Sequence, residues 1–229
     1  MEKRVKKKTF CFIVTSFLPF FSSSSPLLFQ NLKNLKAIDF HHAELKNQDL
    51  LSLPVSVEFL GFQESKLVDD IEDVTINRLS NLRHLILHNS SSIKFKSNHI
   101  LQVDKLTIID HKNDLEDLKN LLQKFANVRI LKIQNSLLEF PKFKVNGSLY
   151  FNDLERIDLT GNKLMKIDDN LLKDIMNSNV SWINLAENVD CFHFSKRYQK
   201  VVCEGPEDKT SSGSLVLVTS ILLVILVFI

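Results

Sequence analysis

Imidazoles and carboxylates close together in sequence are the groups with which this chain would do chemistry. His41, His42 and Glu44 place three potential metal ligands within four residues. Their spacing is not the helical one that sets two His a turn apart around a metal with a Glu beside them. They fall at the end of an apolar-alternating run, where a polar turn is expected. Asp69, Asp70, Glu72 and Asp73 would attract a cation, but calcium-loop spacing and its Gly are missing. That run reads as a solvated loop. The seven His and the scattered Ser form no recognisable nucleophile–base motif. With five Gly in 229 residues, no phosphate-cradling loop is visible. The chain reads as a non-enzyme, with no cofactor and no bound metal.

An apolar ladder organises the rest. Its copies are LKAIDFHHA from Leu35, VEFLGFQES from Val57, LRHLILHNS from Leu82, VDKLTIIDH from Val103, VRILKIQNS from Val128, LERIDLTGN from Leu154 and VSWINLAEN from Val180. Fourth positions (Ile38, Leu60, Leu85, Leu106, Leu131, Ile157, Ile183) recur at steps of 22, 25, 21, 25, 26 and 26 residues. A period in the twenties predicts a solenoid, in which each unit gains a core only by stacking on its neighbours. The fourth and sixth positions alternate across one residue, as the inward face of a short strand does. Apolar residues three apart lead into several strands: Phe29, Leu32, Leu35; Ile76, Leu79, Leu82; Leu122, Phe125, Val128. That spacing predicts a helical or 3₁₀ outer segment.

These copies, covering about residues 29–206, resemble the leucine-rich repeat superfamily. The resemblance implies an α/β horseshoe with one parallel concave sheet and short helical outer segments. It also implies a departure. Asn, expected at the ninth position to satisfy backbone groups at the bend, stands only at Asn162 and Asn188; Ala43, Ser65, Ser90, His111 and Ser136 replace it. Ser supplies part of that bonding and Ala none, so the first five repeats are expected to be less regular.

The ends point to the secretory pathway. Residues 1–24 resemble a signal peptide: a basic start (Lys3, Arg4, Lys6, Lys7, Lys8), an apolar stretch Phe10–Phe21 and the small residues Ser22 and Ser24. Cleavage after Ser24 is expected, with an uncleaved anchor as the alternative. Residues 215–229 are apolar, shorter than the roughly 20 residues of a spanning helix. Preceded by a polar spacer at 207–214, they resemble a glycolipid (GPI) attachment signal, with Asp208, Ser211 or Ser212 as attachment residue. A slightly mismatched transmembrane helix is the alternative. The formal charge is +2; the first 24 residues hold five basic and one acidic residue, leaving the remainder at −2. The basicity is thus a targeting feature, and no nucleic-acid partner is expected.

Cys11 would leave with the signal; Cys191 and Cys203 would remain, an even number in an oxidising compartment. Residues 189–206 resemble a shortened C-terminal flanking cap of extracellular leucine-rich repeat proteins, with Asp190-Cys191 and Cys203 to Pro206 as its matching parts. That resemblance implies one disulfide, Cys191 to Cys203; two free buried thiols are the alternative. Sequons at Asn89, Asn146 and Asn179 are glycosylation candidates.

In a horseshoe built from residues 25–188, third positions (Ala37, Phe59, His84, Lys105, Ile130, Arg156, Trp182) and fifth positions (Asp39, Gly61, Ile86, Thr107, Lys132, Asp158, Asn184) face out of the concave sheet. Phe59, His84, Ile86, Ile130, Arg156 and Trp182 are therefore the expected ligand-binding residues, because aromatic residues and Arg dominate protein-binding hot spots. The resulting expectation is a cell-surface recognition or adhesion module. Its partner would be an extracellular protein or another copy, and its tail would hold it to the membrane. A matrix organiser and an intracellular regulatory repeat protein are the competing readings.

Overall fold

A computed structural model of the chain describes residues 10–15, 29, 32–90, 93–95, 100–111, 115–136, 144–145, 148–149, 153–162, 169–188 and 191–203. The cleavage site at Ser24, Asn146, Asp208, Ser211, Ser212 and the tail at 215–229 lie outside these residues. Among the described residues, no helix is long and apolar enough to cross a membrane.

The architecture is α/β, dominated by one nine-stranded sheet whose strands follow chain order. Seven strands are the repeat segments: Leu35–His41, Phe59–Gln63, His84–His88, Lys105–Ile109, Ile130–Gln134, Arg156–Asp158 and Trp182–Asn184. Every neighbouring pair is parallel, and the fourth positions lie in one row: Ile38↔Leu60↔Leu85↔Leu106↔Leu131↔Ile157↔Ile183. Consecutive parallel strands with non-local crossovers are compatible with an open repeat solenoid. The inward face of every repeat contributes to one core. Ile38, Leu106, Leu131, Ile157 and Ile183 are fully inaccessible, and sixth-position residues such as Phe40, Phe62, Ile108 and Ile133 join them.

Two strands stand outside the repeat ladder. Phe10–Thr15, inside the expected signal peptide, pairs in parallel with Leu35–His41 and forms one edge. Cleavage after Ser24 would remove it. Val201–Val202 pairs with Trp182–Asn184 and forms the other edge. Buried Phe29 packs edge-on against Phe40 with ring centroids 6.3 Å apart, closing the core beside the first repeat.

Four of the six crossovers between repeat strands carry a short helix among the described residues: α1 Asn47–Leu51, α2 Asp73–Arg78, α3 Leu115–Leu122 and α4 Asp169–Met176, with α5 Cys191–Arg197 after the last repeat. The first three returns to the sheet are tight. Leu35 N–H donates to the Leu32 carbonyl at 2.8 Å, and Leu82 N–H to the Leu79 carbonyl at 2.9 Å. These i→i+3 bonds are what the three-residue apolar spacing requires.

The bend leaving each strand has a constant geometry. The eighth residue of all seven repeats has positive φ: His42 51°, Glu64 50°, Asn89 47°, Asp110 53°, Asn135 50°, Gly161 71° and Glu187 63°. Asn, Asp and Gly tolerate this conformation best, and they hold four of the seven places.

The ninth position then stitches repeat to repeat. Ser65 Oγ accepts the Ala43 N–H at 3.1 Å and donates to the Phe40 carbonyl at 2.9 Å. Ser90 Oγ accepts from Ser65 N–H and reaches the Phe62 carbonyl. Ser136 accepts from His111 N–H; Asn162 accepts from Ser136 N–H and donates to the carbonyls of Ile133 and Leu159. Ser thus performs the bridging expected of Asn, and the Ser-bearing bends share the left-handed eighth residue of the Asn-bearing ones. Ala43 needs only to offer its N–H.

Candidate functional site: the open face of the sheet

The pleat sends third and fifth positions to the face opposite the core. In the third row, pairing runs Ala37↔Phe59↔His84↔Lys105↔Ile130↔Arg156↔Trp182. The fifth row runs Asp39↔Gly61↔Ile86↔Thr107↔Lys132↔Asp158↔Asn184↔Val202. The six residues singled out by sequence therefore share one surface, with Ile86 in the second row. Neighbouring strands lie about 4.8 Å apart, so the rows are close-packed side-chain ladders.

The rows are not uniformly accessible. Thr107 and Asn184 are buried, and Arg156 is exposed. His84 stands edge-on to Phe59, with centroids 4.9 Å apart at 88°. Its Nε2 is buried without a hydrogen bond. Burial, helped by the Lys105 charge, lowers its pKa to about 4. His84 is therefore a neutral aromatic contact at neutral pH. Lys105 lies half-buried beside it, and burial together with the neighbouring Lys132 charge lowers the Lys105 ammonium below the usual lysine range.

At the first repeat the face is hydrogen-bonded within itself. Asp39 Oδ2 accepts from Gln63 Nε2 at 2.6 Å and lies 3.1 Å from His41 Nε2. His42 turns away to meet Glu64 at 3.1 Å. The His41, His42 and Glu44 group is thereby split. Among the described residues, no set of three ligating side chains converges on a metal site.

A feature without a local sequence motif runs along the second positions. Lys36, Glu58, Arg83, Asp104, Arg129 and Glu155 alternate in sign and sit on consecutive repeats. Their backbones are chained, each N–H donating to the preceding member's carbonyl at 2.8 to 2.9 Å. Lys36 pairs with Glu58, Arg83 with Asp104 at 3.8 Å, and Arg129 with Glu155 through two bonds of 2.9 and 3.0 Å. These cross-repeat pairs needed the register to become visible.

The far end is covered by a cap. Cys191 on α5 is bonded to Cys203, with Cα atoms 5.9 Å apart. Phe194 enters the core, while Asp169 of α4 gathers the Tyr198 hydroxyl at 2.7 Å, Arg197 at 3.1 Å and Lys173 at 3.1 Å. The Tyr198 hydrogen bond, with the two cations, holds the Asp169 carboxyl below its usual range. Of the sequons, Asn179 is exposed before the last repeat strand; Asn89 is half-buried in a left-handed bend.

The sequence matches no protein-family model and no curated protein closely enough to assign a relationship.

Proposed function

We propose that this chain is a leucine-rich repeat horseshoe displayed on the cell surface, and that the open face of its sheet is a concave surface recognising another extracellular protein or a second copy. The observation that carries this reading is the registered row Phe59, His84, Lys105, Ile130, Arg156, Trp182, with Ile86 alongside. Apolar, aromatic and Arg side chains gathered on one face have the composition of a protein-binding hot spot. The leucine-rich repeat assignment draws on the ladder of apolar positions, the left-handed eighth residue and the bridging ninth residue. Secretion is supported by the apolar, basic-flanked N-terminus and by the bridged cap, since disulfides persist in oxidising compartments. The tail at 215–229 would hold the module to the membrane, either as a glycolipid signal or as a short spanning helix.

Surface labelling of cells expressing the full chain, followed by mass analysis of the mature protein, tests this. The expected result is labelled protein with Cys191 and Cys203 oxidised, with phospholipase release separating a glycolipid from a helix. Protein confined to the cell interior with both thiols reduced would overturn the reading.

A further inference from the structure

Cations and carboxylates are matched from repeat to repeat along the second positions. There Lys36 pairs with Glu58, Arg83 with Asp104 and Arg129 with Glu155. Around Ile130 the matching fails. Lys105 and Arg156 flank Ile130 on the two neighbouring strands, and Lys132 follows it two residues along its own strand. Three cations thus surround one apolar side chain, and Trp182 lies next to Arg156. Asp158 answers Lys132 at 3.6 Å. Among the described residues, no carboxylate is paired with Lys105 or Arg156. Lys105 and Arg156 are about 10 Å apart, two strand spacings.

The complementary surface is present on the same chain. Residues 68–74 read VDDIEDV, and Asp69, Asp70 and Glu72 are exposed between exposed Val68 and Val74. This segment is anchored away from the open face. Lys66–Leu67 pairs with Glu44–Leu45 in a separate small sheet, Ile71 is buried and bridges Phe95, and α2 begins at Asp73. Held at both ends, it cannot fold onto the cationic patch of its own chain.

We propose that the patch of Lys105, Ile130, Lys132, Arg156 and Trp182 docks the acidic segment 68–74 of a second copy. This rests on the surface-recognition reading above and names its partner. Carboxylates meet the unanswered cations, while a valine covers Ile130. A polyanionic glycan would use the cations but leave Ile130 without an apolar partner, so a protein segment fits better. The two halves of the contact lie on different parts of the molecule. Each such contact therefore joins the patch of one copy to the segment of the other.

Two differently tagged full-length copies, co-expressed and surface-labelled before mild crosslinking, test this. Wild type should co-capture wild type, less so as salt rises. Lys105→Gln/Arg156→Glu and Asp69→Lys/Asp70→Lys should each lose self-capture by about tenfold or more, while the mixed pair recovers to within about twofold of wild type, because it retains one intact half from each copy. Recovery also shows that both variants fold. Wild type that reaches the surface without self-capture overturns this proposal alone; chain that never reaches the surface removes the recognition reading beneath it. Self-capture lost only by the cation variant overturns the assignment of segment 68–74 and leaves another acidic protein or a glycan as occupant. Failure of the mixed pair, with both variants retaining wild-type surface levels, also overturns it.

Discussion

The carboxylate of Asp39 lies over Gly61 on the neighbouring strand, filling the space a side chain there would need: a Cβ at position 61 would come 2.7 Å from Asp39 Cγ. Asp39 then reaches Gln63 across the gap and His41 along its own strand. Gly61 is thus required by close approach rather than by its backbone angle. Gly61→Ala is expected to displace Asp39 from both partners and cost about 1–3 kcal/mol, the usual range for overpacking. Urea denaturation with an unchanged slope checks it.

Ser65 has a bridging role that its size conceals. Ser65→Ala strands the Ala43 N–H and the Phe40 carbonyl, which it joins. The expected loss is about 1–3 kcal/mol, the cost of unsatisfied buried groups. Ser65→Asn should lose less, because Asn162 does the same work four repeats further along. Thermal melts of the two variants decide it; equal losses would contradict the bridge.

His84 gives the face a pH signature. Its folded pKa of about 4 lies below its ordinary 6.5. The unfolded chain therefore binds this proton first, so the stability tied to neutral His84 is complete above pH 6.5 and declines as pH falls toward 4. Imidazole NMR should place its midpoint near the lower value. His84→Gln should flatten that part of the stability curve, and a midpoint near 6.5 would contradict the burial argument.

The bridge between Cys191 and Cys203 closes a short loop over the end of the core. Cys191→Ser/Cys203→Ser is expected to lose about 3 kcal/mol, from the entropy of closing such a loop in the unfolded chain. Reductant should lower the wild-type denaturation midpoint and leave the variant's unchanged.

The core was the most legible part of the molecule. A pleat of period two and a repeat in the twenties suffice to place Ile38, Leu85, Leu131 and Ile183 on one inward row, and to send Phe59, Arg156 and Trp182 to the opposite face. Other features rest on contacts between residues far apart in sequence. An unbroken apolar run such as Phe10–Thr15 is compatible with a strand or with a leader, so its pairing with Leu35–His41 had no sequence signature. The left-handed bend holds residue types that favour it at Asn89, Asp110, Asn135 and Gly161, but Glu64 and Glu187 adopt it without being such types. The half-burial of His84 was not legible, because the Phe59 ring that stands against it is 25 residues away in sequence. The helix-spanning apolar triplets were readable because a tight turn demands that spacing; which carboxylate meets which cation was not, since the partners belong to different repeats.

The alternating line of Lys36, Glu58, Arg83, Asp104, Arg129 and Glu155 bears on how such an array can grow or shrink. Excising the single unit that holds Glu58 would set Lys36 against Arg83, and like charges directly opposite are unfavourable. Excising the next unit as well would bring Lys36 to Asp104 and restore attraction. Gene duplications and deletions that keep this edge intact are therefore those that add or remove repeats two at a time.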